Sequence, residues 1–145
     1  MNTATIVSEV EKLYGRLEVE LPAGMCNACG RCCHFHSAGH ILYVTEVERI
    51  FFASRLPSYQ RFDELPPVCP FLLDPLCAAR DARPLACRNH FCRENRDARE
   101  ARYERYHAEL REIGRRFAVP YDYSPLFIKA PALSLIHISE PTRPY

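Results

Sequence analysis

The 145-residue chain has no tryptophan, five glycines, and lysine only at Lys12 and Lys129. With so little glycine it offers no Gly-rich phosphate loop and no Gly motif of the S-adenosylmethionine type. Paired carboxylates placed for acid–base work are missing as well. No stretch reaches the run of about 20 apolar residues that a bilayer span requires, which excludes a helical membrane insertion. Charge of one sign is not in excess either. The formal net charge is +1, which argues against an acidic tail or a basic nucleic-acid arm. No internal repeat of about 20 to 50 residues stands out. The length limits the chain to one compact domain of ordinary size.

The start of the chain lacks the marks of a secretory leader. Met1 to Glu9 holds no basic or apolar region, and Glu9, Glu11 and Lys12 fall where a signal peptide would be hydrophobic. The expectation is a cytoplasmic protein. In a reducing compartment thiols stay free or bind metal instead of pairing.

Two residue types are abundant: eight cysteines and twelve prolines. The cysteines make up about 5.5% of the chain, above ordinary usage and below a dedicated disulfide scaffold. Their arrangement, not their number, carries the information, because eight cysteines allow about 105 disulfide connectivities.

Periodicity marks three helices. Ile6, Val10, Leu13 and Leu17 recur at helical spacing, with Val7 and Tyr14 widening the stripe, and Pro22 and Gly24 end the run. A second helix is expected from about Glu46 to Leu56. Thr45 is its N-cap and Glu48 completes a capping box, Val47, Ile50, Phe51 and Arg55 follow at helical spacing, and Pro57 stops it. The piece Ile41-Leu42-Tyr43-Val44 reads as a strand or an extended lead-in. The longest helix is expected from about Arg93 to Ala118, closed by Pro120, with Tyr103, Tyr106, Leu110, Ile113 and Phe117 on one seam. Its outer face pairs Arg96 with Glu100 and Glu112 with Arg116. Tyr121, Tyr123, Phe127 and Ile128 then pack back on the core. Between these helices, Pro66, Pro67, Pro70, Pro75 and Pro84 leave room only for loop and short turns up to Cys92. Such a segment needs a tie, and a metal would supply one.

The tail has a different character. The run from Leu133 to Arg143 is similar to an in-frame translation of a transposon-end adaptor used in sequencing libraries. On that reading residues 133–145 are foreign, and 1–132 form a single native domain, cut short at its C-terminal end, with a metal core over about 24–92.

The cysteines fall into two groups. Cys26, Cys29, Cys32 and Cys33 form a C-x-x-C-G-x-C-C run, in which C-x-x-C lets two thiolates converge on one metal and Gly30 permits a tight turn. Cys69, Cys77, Cys87 and Cys92 lie across the proline-rich segment. Eight thiolates suit two four-thiolate zinc sites, or one [4Fe–4S] cluster with ligands to spare. Cys26, Cys29 and Cys32 have the spacing of bacterial ferredoxins, and Cys69-Pro70 adds a remote Cys-Pro, which favours iron–sulfur over zinc. Arg31, Arg80, Arg83, Arg88 and Arg93 stand beside the cysteines and can offset the negative charge of a thiolate-bound centre.

These residues, together with Cys69-Pro70-Phe71-Leu72 and Arg83-Pro84 followed by Cys87-Arg88, resemble the bacterial and archaeal CxxCxxCC cysteine-cluster family, also called the YkgJ-like zinc- or iron-chelating domain. The resemblance covers about Gly24 to Cys92. Where the family commonly has an Ile-Tyr-like pair after its Cys77 counterpart, this chain has Ala79-Arg80. The resemblance implies a metal or iron–sulfur protein, with flagellin lysine methylases among its relatives.

Blander readings stand beside these. Single buried cysteines act as small hydrophobes, and His34, His36 and His90 are more simply solvated or hydrogen-bonded than ligands. Between Arg88 and Arg116 nine arginines face six acids, an interleaved pattern that a solvated helix face explains without nucleic acid. The expected product is mainly α: a small helical domain with irregular cysteine-rich metal-binding loops. Its function is expected to be metal binding, by Fe–S or Zn, in electron transfer, sensing or structure, with a protein partner allowed. The alternative is an enzyme, an oxidoreductase or a protein lysine methyltransferase.

Overall fold

A computed structural model describes residues 2–21, 34–35, 41–73, 76–89 and 94–129. The segment read as an adaptor translation, and Cys26, Cys29, Cys32, Cys33 and Cys92, lie outside the described residues.

The fold is mainly α, as the periodicity requires. Helix α1 spans Thr3–Glu20 and buries Ile6, Val10, Leu13, Tyr14 and Leu17, the stripe expected from the sequence. Asn2 caps it by accepting from the Thr5 N–H at 3.1 Å. Strand β1, Tyr43–Thr45, leads directly into helix α2, Glu46–Arg55. The Thr45–Glu48 capping box is present, and Val47, Phe51 and Phe52 turn inward. Helix α4, Arg96–Arg116, buries Tyr103, Tyr106, Leu110 and Ile113. The three long helices pack against one another, α1 on both α2 and α4, and α2 on α4. Among the described residues no helix is long and apolar enough to cross a membrane.

Several details depart from the sequence expectation. Helix α4 begins three residues later than Arg93 because Asn95 caps it, accepting from the Ala98 N–H at 3.0 Å. It ends before Ala118, whose φ of 56° lies in the left-handed region and turns the chain back. Phe117 is only half-buried. Arg96 does pair with Glu100 at 3.1 Å, but Glu112 pairs with Arg115, not Arg116. Arg116 instead reaches across to Glu9 on α1 at 2.9 Å. Tyr121 stays exposed at 53%, whereas Phe127 is buried.

The extended lead-in is half of a sheet. Strand β1 pairs antiparallel with β4, Tyr123–Pro125, with Val44 opposite Ser124. Arg49 on α2 holds this edge, donating to the Ser124 hydroxyl at 2.7 Å and to the Pro125 carbonyl at 3.1 Å. The proline-rich segment also contains more order than its prolines suggest. A hairpin pairs β2, Leu72–Leu73, with β3, Leu76–Cys77. A 3₁₀ turn at Arg80–Ala82 and the one-turn helix α3, Leu85–Arg88, follow.

Candidate functional site

Three of the eight predicted ligands are described. Cys69 opens the turn into the hairpin, its carbonyl accepting from Leu72 N–H at 3.0 Å. Cys77 closes β3 opposite Leu72, and Cys87 sits on α3. All three are half-buried thiols packed against the edge of the core. Among the described residues no three His, Cys, Asp or Glu side chains come together in a way that would hold a metal. Cys69, Cys77 and Cys87 therefore do not form a complete site by themselves.

Two phenylalanines that closely follow cysteines in the chain meet at Phe127. Phe71, in the Cys69-Pro70-Phe71 box, lies 6.1 Å from the Phe127 ring, centroid to centroid. Phe35, which follows Cys33 by two residues, lies at the same 6.1 Å from Phe127. Phe52 and Tyr59 complete this aromatic cluster, with Phe52 edge-on to Tyr59, Phe71 and Phe127. Edge-to-face packing of this kind adds to area burial by about 0.5–1.5 kcal/mol per pair.

The Arg83-Pro84-Leu85-Ala86-Cys87-Arg88 motif is held by buried polar groups, and Glu48 is at their centre. Its Oε1 accepts from the Thr45 N–H at 3.0 Å and from the Thr45 hydroxyl at 3.1 Å. Its Oε2 accepts from the Tyr14 hydroxyl at 3.0 Å and from the Leu85 N–H at 2.6 Å. One carboxylate thus caps both α2 and α3. Glu48 is 2% exposed, and this burial pushes its pKa above the usual carboxylate range even though four donors favour the ionised form. Burial, followed by the Glu48 charge, raises the Tyr14 phenol well above its ordinary value.

Arg88 was expected to balance thiolate charge, and the structure engages it in another way. Its Nε donates to the Arg83 carbonyl at 2.5 Å, and its Nη2 donates to the Asp81 carbonyl at 2.7 Å. Nη1 pairs with Glu18 on α1 at 3.1 Å, and the guanidinium lies 4.0 Å from the Tyr14 ring centre. Arg88 therefore folds its own turn and fastens it to α1. Its fixed fork suits this task in a way a lysine would not.

A third polar clamp brackets the segment 90–93, which includes His90 and Cys92. Arg102 on α4 binds the Asn89 side chain through Nε and takes the Glu94 carboxylate in a two-pronged grip at 2.7 and 2.5 Å. Both partners of this ion pair are under a tenth exposed. Hydrogen bonding from Arg102 holds the Glu94 carboxyl below its ordinary range.

Sequence reasoning found the cysteines and the Thr45–Glu48 box. It missed Glu48 as a cap for α3, and it missed Arg102 altogether. The only available signal was an arginine inside the apolar seam of the last helix, directly before Tyr103. A separate groove of about 510 Å³ runs between the start of α2 and the last turns of α4, and none of the described cysteines lines it. Comparison with known proteins adds no relative: no protein-family model matches the chain, and neither a curated protein nor a solved structure does.

Proposed function

We propose that this chain is a metal-binding cysteine-cluster protein working in a reducing compartment such as the cytoplasm, its ligands drawn from both cysteine groups. The observation that carries the reading is the shared docking of Phe35 and Phe71 on Phe127. Cys33 and Cys69 each precede their phenylalanine by two residues, a chain reach of at most about 7 Å. The residues two positions after Cys33 and two positions after Cys69 thus meet in one aromatic cluster. Cys69, Cys77 and Cys87 do not complete a site alone, so the centre also takes ligands from Cys26, Cys29, Cys32, Cys33 or Cys92. The donor set fits the group, since half-buried thiols at the edge of the core suit thiolate-bound iron or zinc. The ferredoxin-like spacing of Cys26, Cys29 and Cys32 favours an iron–sulfur cluster, which would serve electron transfer or sensing. Zinc would instead be structural.

Anaerobic purification followed by iron, sulfide and zinc analysis tests this. Iron with matching sulfide, and a broad visible absorption that bleaches on reduction, is the expected result. A colourless, zinc-replete protein would replace the iron–sulfur reading with structural zinc. A metal-free chain that takes up neither on reconstitution overturns the proposal. Replacing Cys29 or Cys69 by serine should lower the metal content.

A further inference from the structure

We infer that Glu48 is the positioning residue for the Cys87 ligand, and this rests on the metal-centre reading above. The argument begins from the helix that carries Cys87. Helix α3 is a single turn of four residues, Leu85–Arg88. An isolated helix of that length has no stability of its own, because nucleation costs more than one turn returns. Its N-cap is Pro84, which makes no side-chain cap hydrogen bond. The Leu85 N–H would thus be an orphan, and it is buried. Glu48 supplies the acceptor at 2.6 Å from a position 37 residues earlier in the chain.

The rest of the Glu48 environment fixes that acceptor in place. The Thr45 N–H and hydroxyl hold Oε1, and Tyr14 shares Oε2 with Leu85. Tyr14 is itself clamped between Phe51, edge-on at 5.2 Å, and the Arg88 guanidinium at 4.0 Å. The residue after Cys87 therefore stacks on the phenol that orients Glu48. Two anchors hold α3, one at its first residue and one at its last, with Cys87 between them. A thiolate ligand on so short a helix takes its direction from these anchors, since it has little helix to take it from. Outer groups that orient a ligand matter to metal affinity almost as much as the ligands themselves.

Anaerobic titration of the full, reduced chain with cobalt(II) tests the assignment, because thiolate-to-cobalt absorption reports how many sulfurs bind. The wild type should show that absorption, Cys87→Ser should weaken affinity, and Glu48→Gln should weaken it by about 10–100-fold. The combined Glu48→Gln/Cys87→Ser variant should be no weaker than Cys87→Ser alone, since both changes remove the same ligand's contribution. Thr45→Val, which removes one bond to Oε1 and leaves the Leu85 bond intact, should weaken cobalt binding less than Glu48→Gln. If Glu48→Gln does not fold, Tyr14→Phe takes its place, with a smaller loss expected and the same non-additivity with Cys87→Ser. Wild-type affinity in Glu48→Gln, or full additivity with Cys87→Ser, overturns the positioning role while leaving the metal reading intact. Failure of the wild type to bind cobalt overturns both.

Discussion

The helical half and the cysteine-bearing segment of this protein are stabilised in different ways. Helices α1, α2 and α4 meet through apolar stripes in which Ile6, Leu13, Leu17, Val47, Phe51 and Leu110 are almost fully buried. Their stability is spread over many contacts, none of them directional. The segment from the hairpin to α3 sends Ala79, Ala82, Leu85 and Ala86 into the core, but its elements are short, and three buried polar groups, Glu48, Arg88 and Arg102, fix them in place. Dispersed apolar packing tolerates small changes of shape. Point anchors do not, because a lost partner leaves a buried charge or donor unmet. Cys77 and Cys87 fall in the part of the molecule whose geometry depends on point anchors.

The contrast can be broken most severely at Arg102. Arg102→Ala removes the two-pronged partner of the half-buried Glu94 and both bonds to Asn89, and should cost about 3–5 kcal/mol in urea unfolding. Pairing Arg102→Met with Glu94→Leu should recover most of that loss, which would identify the unmet charge as its cause. On the apolar side, Leu110→Ala removes a fully buried side chain from α4 and should cost about 2–5 kcal/mol by the same measurement. No second substitution of a polar partner should rescue it. That difference in rescue, more than the difference in size, distinguishes the two kinds of support.

The smallest effect is a pH dependence at the edge of the helical half. His107 stacks on Tyr103 and lies edge-on to Tyr123, with its Nε2 3.1 Å from the Tyr121 hydroxyl. Burial, and then the charge of Arg111, lower its pKa below the ordinary histidine value of 6.5. The folded protein therefore resists a proton that the unfolded chain accepts. The stability from His107 is complete above about pH 6.5 and is lost as pH falls through the folded value. Urea midpoints measured between about pH 8 and about pH 5 should show this slope in the wild type. His107→Phe should flatten it; an unchanged slope would assign the dependence to other groups.

Legibility in the sequence follows the same division. The stripe of α1 and most of the seam of α4 were readable because helical periodicity is local, whereas on α2 Val47 and Phe51 are buried as expected but Phe52 takes the place of Ile50 and Arg55. The β1–β4 sheet was only half visible, since Tyr43–Thr45 is recognisable as extended but its partner, Tyr123–Pro125, lies most of the chain away. Prolines hid the hairpin, because Leu72–Leu73 and Leu76–Cys77 are too short for an alternating pattern. Glu48 was legible as a local cap from its spacing to Thr45. Its second cap, on Leu85, is a tertiary event with no local trace. Arg116 was assigned to Glu112 by spacing on its own helix, whereas the nearby Glu9 of α1 offered a partner that spacing cannot reveal. Of the candidate site, the cysteines were legible as candidate ligands, and the buried polar groups that fix α3 were not.

The grip of Arg102 on both Asn89 and Glu94 has one further consequence. Asn89 is the residue that ends α3, and Glu94 directly precedes the N-cap of α4. One side chain of α4 thus fixes the exit of one helix and the entrance of the next. A displacement of α4 would carry the end of α3 with it, so Asn89, Glu94 and Arg102 act as a single coupling between the two helices.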